Sequence, residues 1–535
     1  MIALRVFLAL SLCVPASSTV ADTSIPSFEP GTTGPPVLTF DELTTLATVD
    51  PPPAALQQKL DTLLSTPFVN NNEAEHAPIG HLERPGAGLI LRVAEWNINR
   101  TPRDGDVKLA LAEARGFLDR ARQNPAVTPK KLTATEEQIT NLQKADIVIL
   151  DEIDDGVDRE NYHNVPQELA KALHMNFAYA VEFIELNRIY MGVKRMDTAG
   201  SVANVPRGAA FGLDPRRYLG LEGTALLSRY PIRSARIVHL PEEYDWYHQE
   251  IRALSDLEKA RRWTAEKLFN ERIRRQVRRG SRLALIADLE IPGSPTGIVT
   301  VICPHLEDYC GPAGRRAQMK YLLTQLPALS NPVIMGGDLN TLRHNGQPLT
   351  FRDLLHTYLL NYHFWLGEAF YFFVPVPGIG EIFRGANYVK NLHDPTAVNI
   401  PVFFSDPSRP LFDAVRSFRF DDGGRFDFDG NTRYSYHHHG RTLADSSQRT
   451  WKGFEPTFSF ARTFGGLIGA YKIDWFFIKT NPARSGEFTW FPEFGRTLPL
   501  VNTALSPRIS DHCPTTIDLP LNAGSSNETA QMGHQ

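Results

Sequence analysis

Cysteine is scarce. The chain has four in 535 residues, and only Cys303, Cys310 and Cys513 lie beyond the first turns of the N-terminus. That excludes a small disulfide-stapled scaffold, and a chain this long buries a sizeable core without staples. Three is an odd number, so at least one thiol is free or pairs with another chain. Cys303 and Cys310 are near enough in sequence to close a small loop, but seven residues of separation guarantee no bridging geometry. Neither sign of charge dominates. Lys and Arg number 56 against 60 Asp and Glu, a net charge of −4, so no global basic field announces a polyanion binder. The aromatic run Phe364–Phe383 is too short and too broken by proline for a spanning helix, which needs roughly 20 apolar residues. The remaining composition is that of a soluble globular protein.

What is present begins with a targeting pattern. Met1–Arg5 carries one positive charge, Val6–Val14 is apolar, and Pro15–Ala21 supplies small residues for cleavage. Residues 1–21 are read as a signal peptide, so the expected location is secreted or periplasmic. Leu12 is larger than the residue that usually precedes a lipidated cysteine. Residues 22–88, rich in Pro, Thr and Ser, read as an N-terminal arm with one helix at Pro53–Leu64. The main domain spans 89–521, with insertions at about 241–282 and 350–450. A polar tail, 522–535, is expected to be disordered and holds the sequon Asn527-Glu528-Thr529.

The densest chemistry lies in Val333–Thr341. A buried strand runs into Gly336-Gly337 and then presents Asp338 and Asn340 two residues apart, on one side of the chain. Other strands end in comparable groups. Leu89–Asn99 delivers Trp96-Asn97-Ile98. Ala145–Leu150 runs into Asp151-Glu152-Ile153-Asp154-Asp155, acids that suit a hard cation. Phe177–Phe183 carries Tyr179, and Gly223–Ile232 is a further buried strand. Gly297–Cys303 delivers His305-Leu306-Glu307, followed by a helix that opens with Arg315-Arg316. Lys472–Lys479 carries Asp474, and Ser510-Asp511-His512 precedes the last strand. An Asp paired to a His fixes the tautomer and raises its basicity, as general-base chemistry requires. Three other features have plainer readings. Arg272–Arg282 is read as the face of a solvated helix, with a basic ridge as the sharper alternative. Asp427, Asp429 and Asn431 lack the full spacing of a calcium loop. His437-His438-His439 reads as a polar loop.

Together the ordered set resembles the endonuclease/exonuclease/phosphatase superfamily, the fold of DNase I and of neutral sphingomyelinases. The matching stretches are Trp96-Asn97-Ile98, Leu150-Asp151-Glu152, Ala225–Ile232, His305-Leu306-Glu307, Gly337–Thr341, Ile473-Asp474-Trp475 and Ser510-Asp511-His512. The resemblance implies an α/β (α+β) four-layer sandwich: two mostly antiparallel sheets face to face, with helices outside. It implies that Asn97, Glu152 and Asp511 form the metal neighbourhood, holding Mg2+, or Mn2+ or Ca2+. His305, Asp338, Asn340, Asp474 and His512 are the implied catalytic set, with Tyr179 and Arg316 as candidate substrate contacts.

Three positions depart from the family's habit. Asp151 stands where Gln is common, Thr224 where many relatives carry Asn, and Pro304 where Thr is frequent. None removes a catalytic residue. The expected function is metal-assisted, in-line hydrolysis of a phosphodiester. The substrate is a nucleic acid, guided by the arginine run, or a phospholipid, with Phe370–Val376 as a peripheral membrane contact. The alternatives are a phosphomonoesterase acting on inositol phosphates and a non-catalytic secreted binding protein.

Overall fold

The computed structural model describes residues 31–74, 82–84, 88–100, 104–196, 202–204, 213–252, 256, 259–260, 262–263, 276–294, 296–342, 407–427, 449–450, 453–460, 470–480 and 494–520. Residues 1–21, residues 522–535, Phe370–Val376, Asp429, Asn431 and His437–His439 lie outside the described residues.

Two sheets form the centre. The larger has nine strands. Its main path is Phe68–Asn70, Asn176–Glu185, Leu221–Ser228, Ile147–Asp155, Gly88–Asn97, Thr515–Pro520 and Phe494–Thr497. The smaller has six, in the order Arg425–Asp427, Asp474–Thr480, Val333–Asp338, Ile298–Pro304, Leu283–Glu290 and Ile232–His239. Each is mixed. Gly88–Asn97 pairs in parallel with Ile147–Asp155, and Ile298–Pro304 with Val333–Asp338, while the other pairings in the two sheets are antiparallel.

Three apolar layers glue the structure. Between the sheets lie Leu91, Val93, Ile147, Ile149, Leu285, Val301, Ile334 and Phe476. Helices such as Val165–Leu173 cover the outer face of the larger sheet, and Pro312–Thr324 with Arg409–Ser417 cover the smaller. Each fully buried Leu, Ile or Phe contributes about 1.5–3 kcal/mol, so the layers hold the two sheet ends in fixed register. This is the four-layer sandwich of helix, sheet, sheet and helix.

The described part of residues 31–88 packs on the main domain. Helix Phe40–Thr48 starts at a capping box of Thr39 and Glu42 and buries Leu43, Leu46 and Ala47. Helix Ala54–Ser65 buries Leu56, Leu60, Leu63 and Leu64. Phe68–Asn70 then adds an edge strand to Asn176–Glu185, and Leu82–Arg84 pairs with Gly88–Asn97. The first helix is only nine residues long and lies among Thr and Pro, which is why periodicity does not reveal it.

The arginine run is neither solvated helix nor basic ridge where it is described. Arg278–Gly280 is a strand paired to Asn176–Glu185. The Arg278 guanidinium lies 3.7 Å from both the Phe183 and Trp246 ring centroids and 2.7 Å from Glu222. Arg279 caps the arm, bonding Leu46 O and Asp50. Helical charge patterning misleads here because Arg278 meets the buried Glu222 from a distant strand, and Arg279 meets Asp50 and the Tyr247 ring.

Candidate active site

Side chains alternate along a strand, so the inward phase of the core can be followed to the strand ends. Leu91 and Val93 lead to Glu95 and Asn97. Ile147 and Ile149 lead to Asp151, and Ala178 and Ala180 to Glu182. Val301 and Cys303 lead to His305. Ile334 leads to Asp338, and Phe476, read backwards, to Asp474. Thr224 holds the same phase as Leu226. The apolar seam between the sheets therefore becomes a buried polar cluster at one end.

Asp338 is its hub. Its amide donates to Asp151 Oδ2 at 3.0 Å, and its Oδ1 accepts from the Asn340 amide at 2.8 Å. Asn97 Nδ2 donates to Oδ2 at 3.0 Å. His512 Nε2 and His305 Nε2 face the same oxygen at 3.7 and 3.9 Å. Burial and the nearby charge of Asp474 push the Asp338 carboxyl up to about 7, although both imidazoles oppose the rise. A carboxyl poised there can take a proton from water near neutral pH.

The turns that aim these groups use left-handed backbone. Asn340 has φ +46° and Glu152 φ +53°, with Asn99 at +51° and Arg100 at +53° beside them. Asn adopts this region readily, whereas Glu and Arg do so at a cost of about 1–2 kcal/mol each. The register between Ile147–Asp155 and Leu221–Ser228 shifts between Leu150 and Ile153. That irregularity and the left-handed turn bring Glu152 out to the mouth, its side chain 18% exposed, while Asp151 stays inside.

Two carboxylate–imidazole pairs flank the hub. His512 Nδ1 lies 2.9 and 3.1 Å from the two oxygens of Asp474. Burial works against a charged ring there, but Asp474 and Asp338 hold it well above the ordinary histidine range. His305 Nδ1 lies 3.0 Å from Glu182 Oε1. Burial and the Arg282 guanidinium oppose its charge, yet Glu182 and Asp151 prevail and raise it to about 9. Thr224 Oγ1 lies 2.7 Å from Glu182 and 2.8 Å from Asp151.

Two buried groups, Asp151–Glu182–His305 and Asp338–Asp474–His512, bring potential metal-binding atoms within 4.8 Å of one another. Each already contains a carboxylate–imidazole hydrogen bond, and a metal would need the ring neutral. A hard cation fits better at the mouth. There Asn97 Nδ2 lies 3.4 Å from Glu152 Oε1. Burial pushes the Asp511 carboxyl up, and the negative charge of Glu152 adds to the rise against His512. The two carboxylates repel one another, as oxygens that a divalent ion would neutralise do, while Arg100 Nε lies 3.4 Å from Glu152 and Asn97 Oδ1 accepts from the Asn99 amide.

The structure thus brings together Asn97, Glu152, His305, Asp338, Asn340, Asp474, Asp511 and His512. It leaves out the two substrate candidates. Tyr179 has the outward phase, so its ring is buried against Phe68, 6.3 Å between centroids, and its hydroxyl donates to Ile153 O. Arg316 lies on the outer helix Pro312–Thr324, lining a cavity of about 620 Å³ with Lys320, Asp413 and Phe418. Its neighbour Arg315 is the buried one, donating to Cys310 O and Leu342 O. Glu182 belongs to the cluster but escapes sequence reading, and Thr224 and Arg282, noted in the sequence as a departure from the family's habit and as part of the arginine run, join it there. The inward phase through Ala178 and Ala180 is the signal that finds Glu182. Cys303, Cys310 and Cys513 are all free thiols and buried.

A search of curated proteins gives no match. Among solved structures, an endonuclease/exonuclease/phosphatase from Beutenbergia cavernae DSM 12333 is 16% identical, with 81% of this chain and 72% of that one covered and a TM-score of 0.31. The human Nocturnin catalytic domain is 12% identical, covering 80% and 94%, TM-score 0.32. A family protein from Leptotrichia buccalis C-1013-b is 10% identical, covering 80% and 98%, TM-score 0.34. The profile of the Endonuclease/Exonuclease/phosphatase family matches residues 94–512, a stretch that opens at the Gly88–Asn97 strand and closes on His512. The chain belongs to that family, whose members are hydrolases acting on phosphoesters.

Proposed function

We propose that the protein is an exported, divalent-metal-dependent phosphodiesterase, secreted or periplasmic. The observation that carries this reading is the ring of donors around Asp338. Its Oδ2 is faced by two imidazole Nε2 atoms and one carboxamide, and His305 Nε2 is buried with no hydrogen-bond partner among the described residues. Such a site has donors for a phosphoryl group and a base for water.

Asp338 orients a water and takes its proton as the new P–O bond forms. Asn340 and Asn97 hold that carboxylate and water in line. The two imidazoles face the phosphoryl oxygens, and one of them gives its proton to the departing oxygen as the old P–O bond breaks. Glu152, Asn97 and Asp511 would hold the divalent ion, Mg2+ being the ion of choice, which supplies charge neutralisation when bound. Arg278, Arg279 and Arg282 are engaged in internal ion pairs. That supports a compact phosphodiester, such as a phospholipid head group, over a long nucleic acid.

The test is hydrolysis of duplex DNA, sphingomyelin vesicles and a phosphomonoester, each with Mg2+ and with chelator. Chelator-sensitive cleavage of the lipid is the expected outcome. Cleavage of only the monoester would shift the reading to a phosphomonoesterase. No cleavage of any, with metal still bound in a titration, would favour a binding protein on the same fold.

A further inference from the structure

Arg282 lies under His305 and outside the catalytic set described so far. It enters from the segment between Arg278–Gly280 and Leu283–Glu290, 2% exposed at the side chain. One nitrogen, Nη1, is 2.9 Å from Glu182 Oε2 and 2.9 Å from His305 Nδ1. Nη2 donates to Asp308 Oδ1 at 3.0 Å, and Nε lies 3.7 Å from Glu307 Oε2. The guanidinium therefore braces Glu182 on one strand against the loop that carries His305. A planar fork with several donors does this where a point charge does not.

The placement has an electrostatic consequence. Facing His305 are Glu182 from one strand, Asp151 from a second, Asp338 from a third, and Arg282. Asp308 and Glu307 act on it through Arg282. Only Arg282 among these is a cation, and it abuts the ring nitrogen directly. It disfavours the charged imidazole while its hydrogen bond fixes the carboxylate that favours it. Among the described residues no guanidinium meets the ring of the other pair: His512 Nδ1 lies 2.9 and 3.1 Å from the two oxygens of Asp474.

We propose that Arg282 is a positioning residue that holds Glu182 against His305 and makes His305 the imidazole that releases its proton from Nε2 to the leaving oxygen. The role in turnover rests on the phosphodiesterase reading; the effect on His305 does not. Three forms are compared: wild type, Arg282→Met and Arg282→Lys, each checked for folding by circular dichroism and thermal unfolding. The His305 midpoint is read by NMR with 13Cε1-labelled histidine, assigned through His305→Gln, alongside the pH profile of kcat.

Arg282→Met is expected to raise the His305 midpoint by roughly one pH unit or more. It should move the basic limb of kcat the same way and lower kcat at least about tenfold with KM little changed. Lys, which keeps the charge, should return the midpoint toward wild type. A folded Arg282→Met protein with an unmoved His305 midpoint overturns the proposal. So does a midpoint that moves equally in Met and Lys. If the midpoint moves as expected but no phosphodiester is cleaved by wild type, the assignment to His305 stands and the phosphodiesterase reading falls.

Discussion

The two histidines of the site look equivalent from Asp338, which sees their Nε2 atoms at 3.7 and 3.9 Å. Behind the rings they differ. His512 is backed by one aspartate and lies edge-on to Phe458, 5.0 Å between ring centroids. His305 is wholly buried among Glu182, Thr224, Arg282 and Asp151. The first arrangement stabilises a fixed cation. The second balances a cation against a carboxylate and leaves the ring free to give up a proton. Equal distance to the reacting centre does not make equal chemistry; the groups on the far side of each ring decide it.

Four outcomes would break or sharpen that contrast. The largest effect is on the hub: Asp338→Asn should lower kcat by about 10^3-fold while the protein stays folded, read by initial rates and circular dichroism. Next come the two rings. His305→Gln and His512→Gln should each cost about 10^2-fold on a substrate with a poor leaving group. With a nitrophenolate leaving group, which needs no proton, the His305 variant should recover most of its loss and the His512 variant should not. Recovery by both, or by neither, would dissolve the contrast.

The third outcome concerns stability. His305 is held at about 9 against an ordinary 6.5. Its folded value is raised, so the stabilisation is complete below about pH 6.5 and is lost as the pH rises through 9. The shift corresponds to about 3 kcal/mol. Urea unfolding at pH 6 and pH 10 should show wild type losing that much more stability than His305→Gln over the interval. An equal loss in both would remove the claim that the ring is charged in the folded protein. The smallest effect is expected at Arg316. Arg316→Ala should leave kcat/KM within about twofold, the range of a surface substitution away from the site. A large drop would bring the outer helix back into the substrate path.

Much of this was legible in the sequence. Asn97, Glu152, His305, Asp338 and Asn340 follow strand-like apolar runs, Asp474, Asp511 and His512 lie at or before the start of others, and their order along the chain matches the family that the profile confirms. The two-sheet sandwich was implied by the family resemblance, with which the strand-like runs agree. What escaped depends on partners distant in sequence. Tyr179 and Glu182 lie three residues apart on one strand, and only the phase set by Ala178 and Ala180 separates core from site. Arg278 and Arg282 read as a solvated charge run until Glu222 and Glu182, from other strands, close on them. Arg315 and Arg316 are adjacent, and helix orientation alone decides that Arg315 turns inward.

The central claim is that the polar end of the inter-sheet core is a phosphodiester hydrolysis site built on Asp338. The most direct measurement is Mg2+-dependent hydrolysis of sphingomyelin vesicles by wild type and Asp338→Asn, run side by side with a chelator control. The account predicts chelator-sensitive turnover in wild type and about a 10^3-fold loss in the variant. Full turnover by folded Asp338→Asn would contradict it.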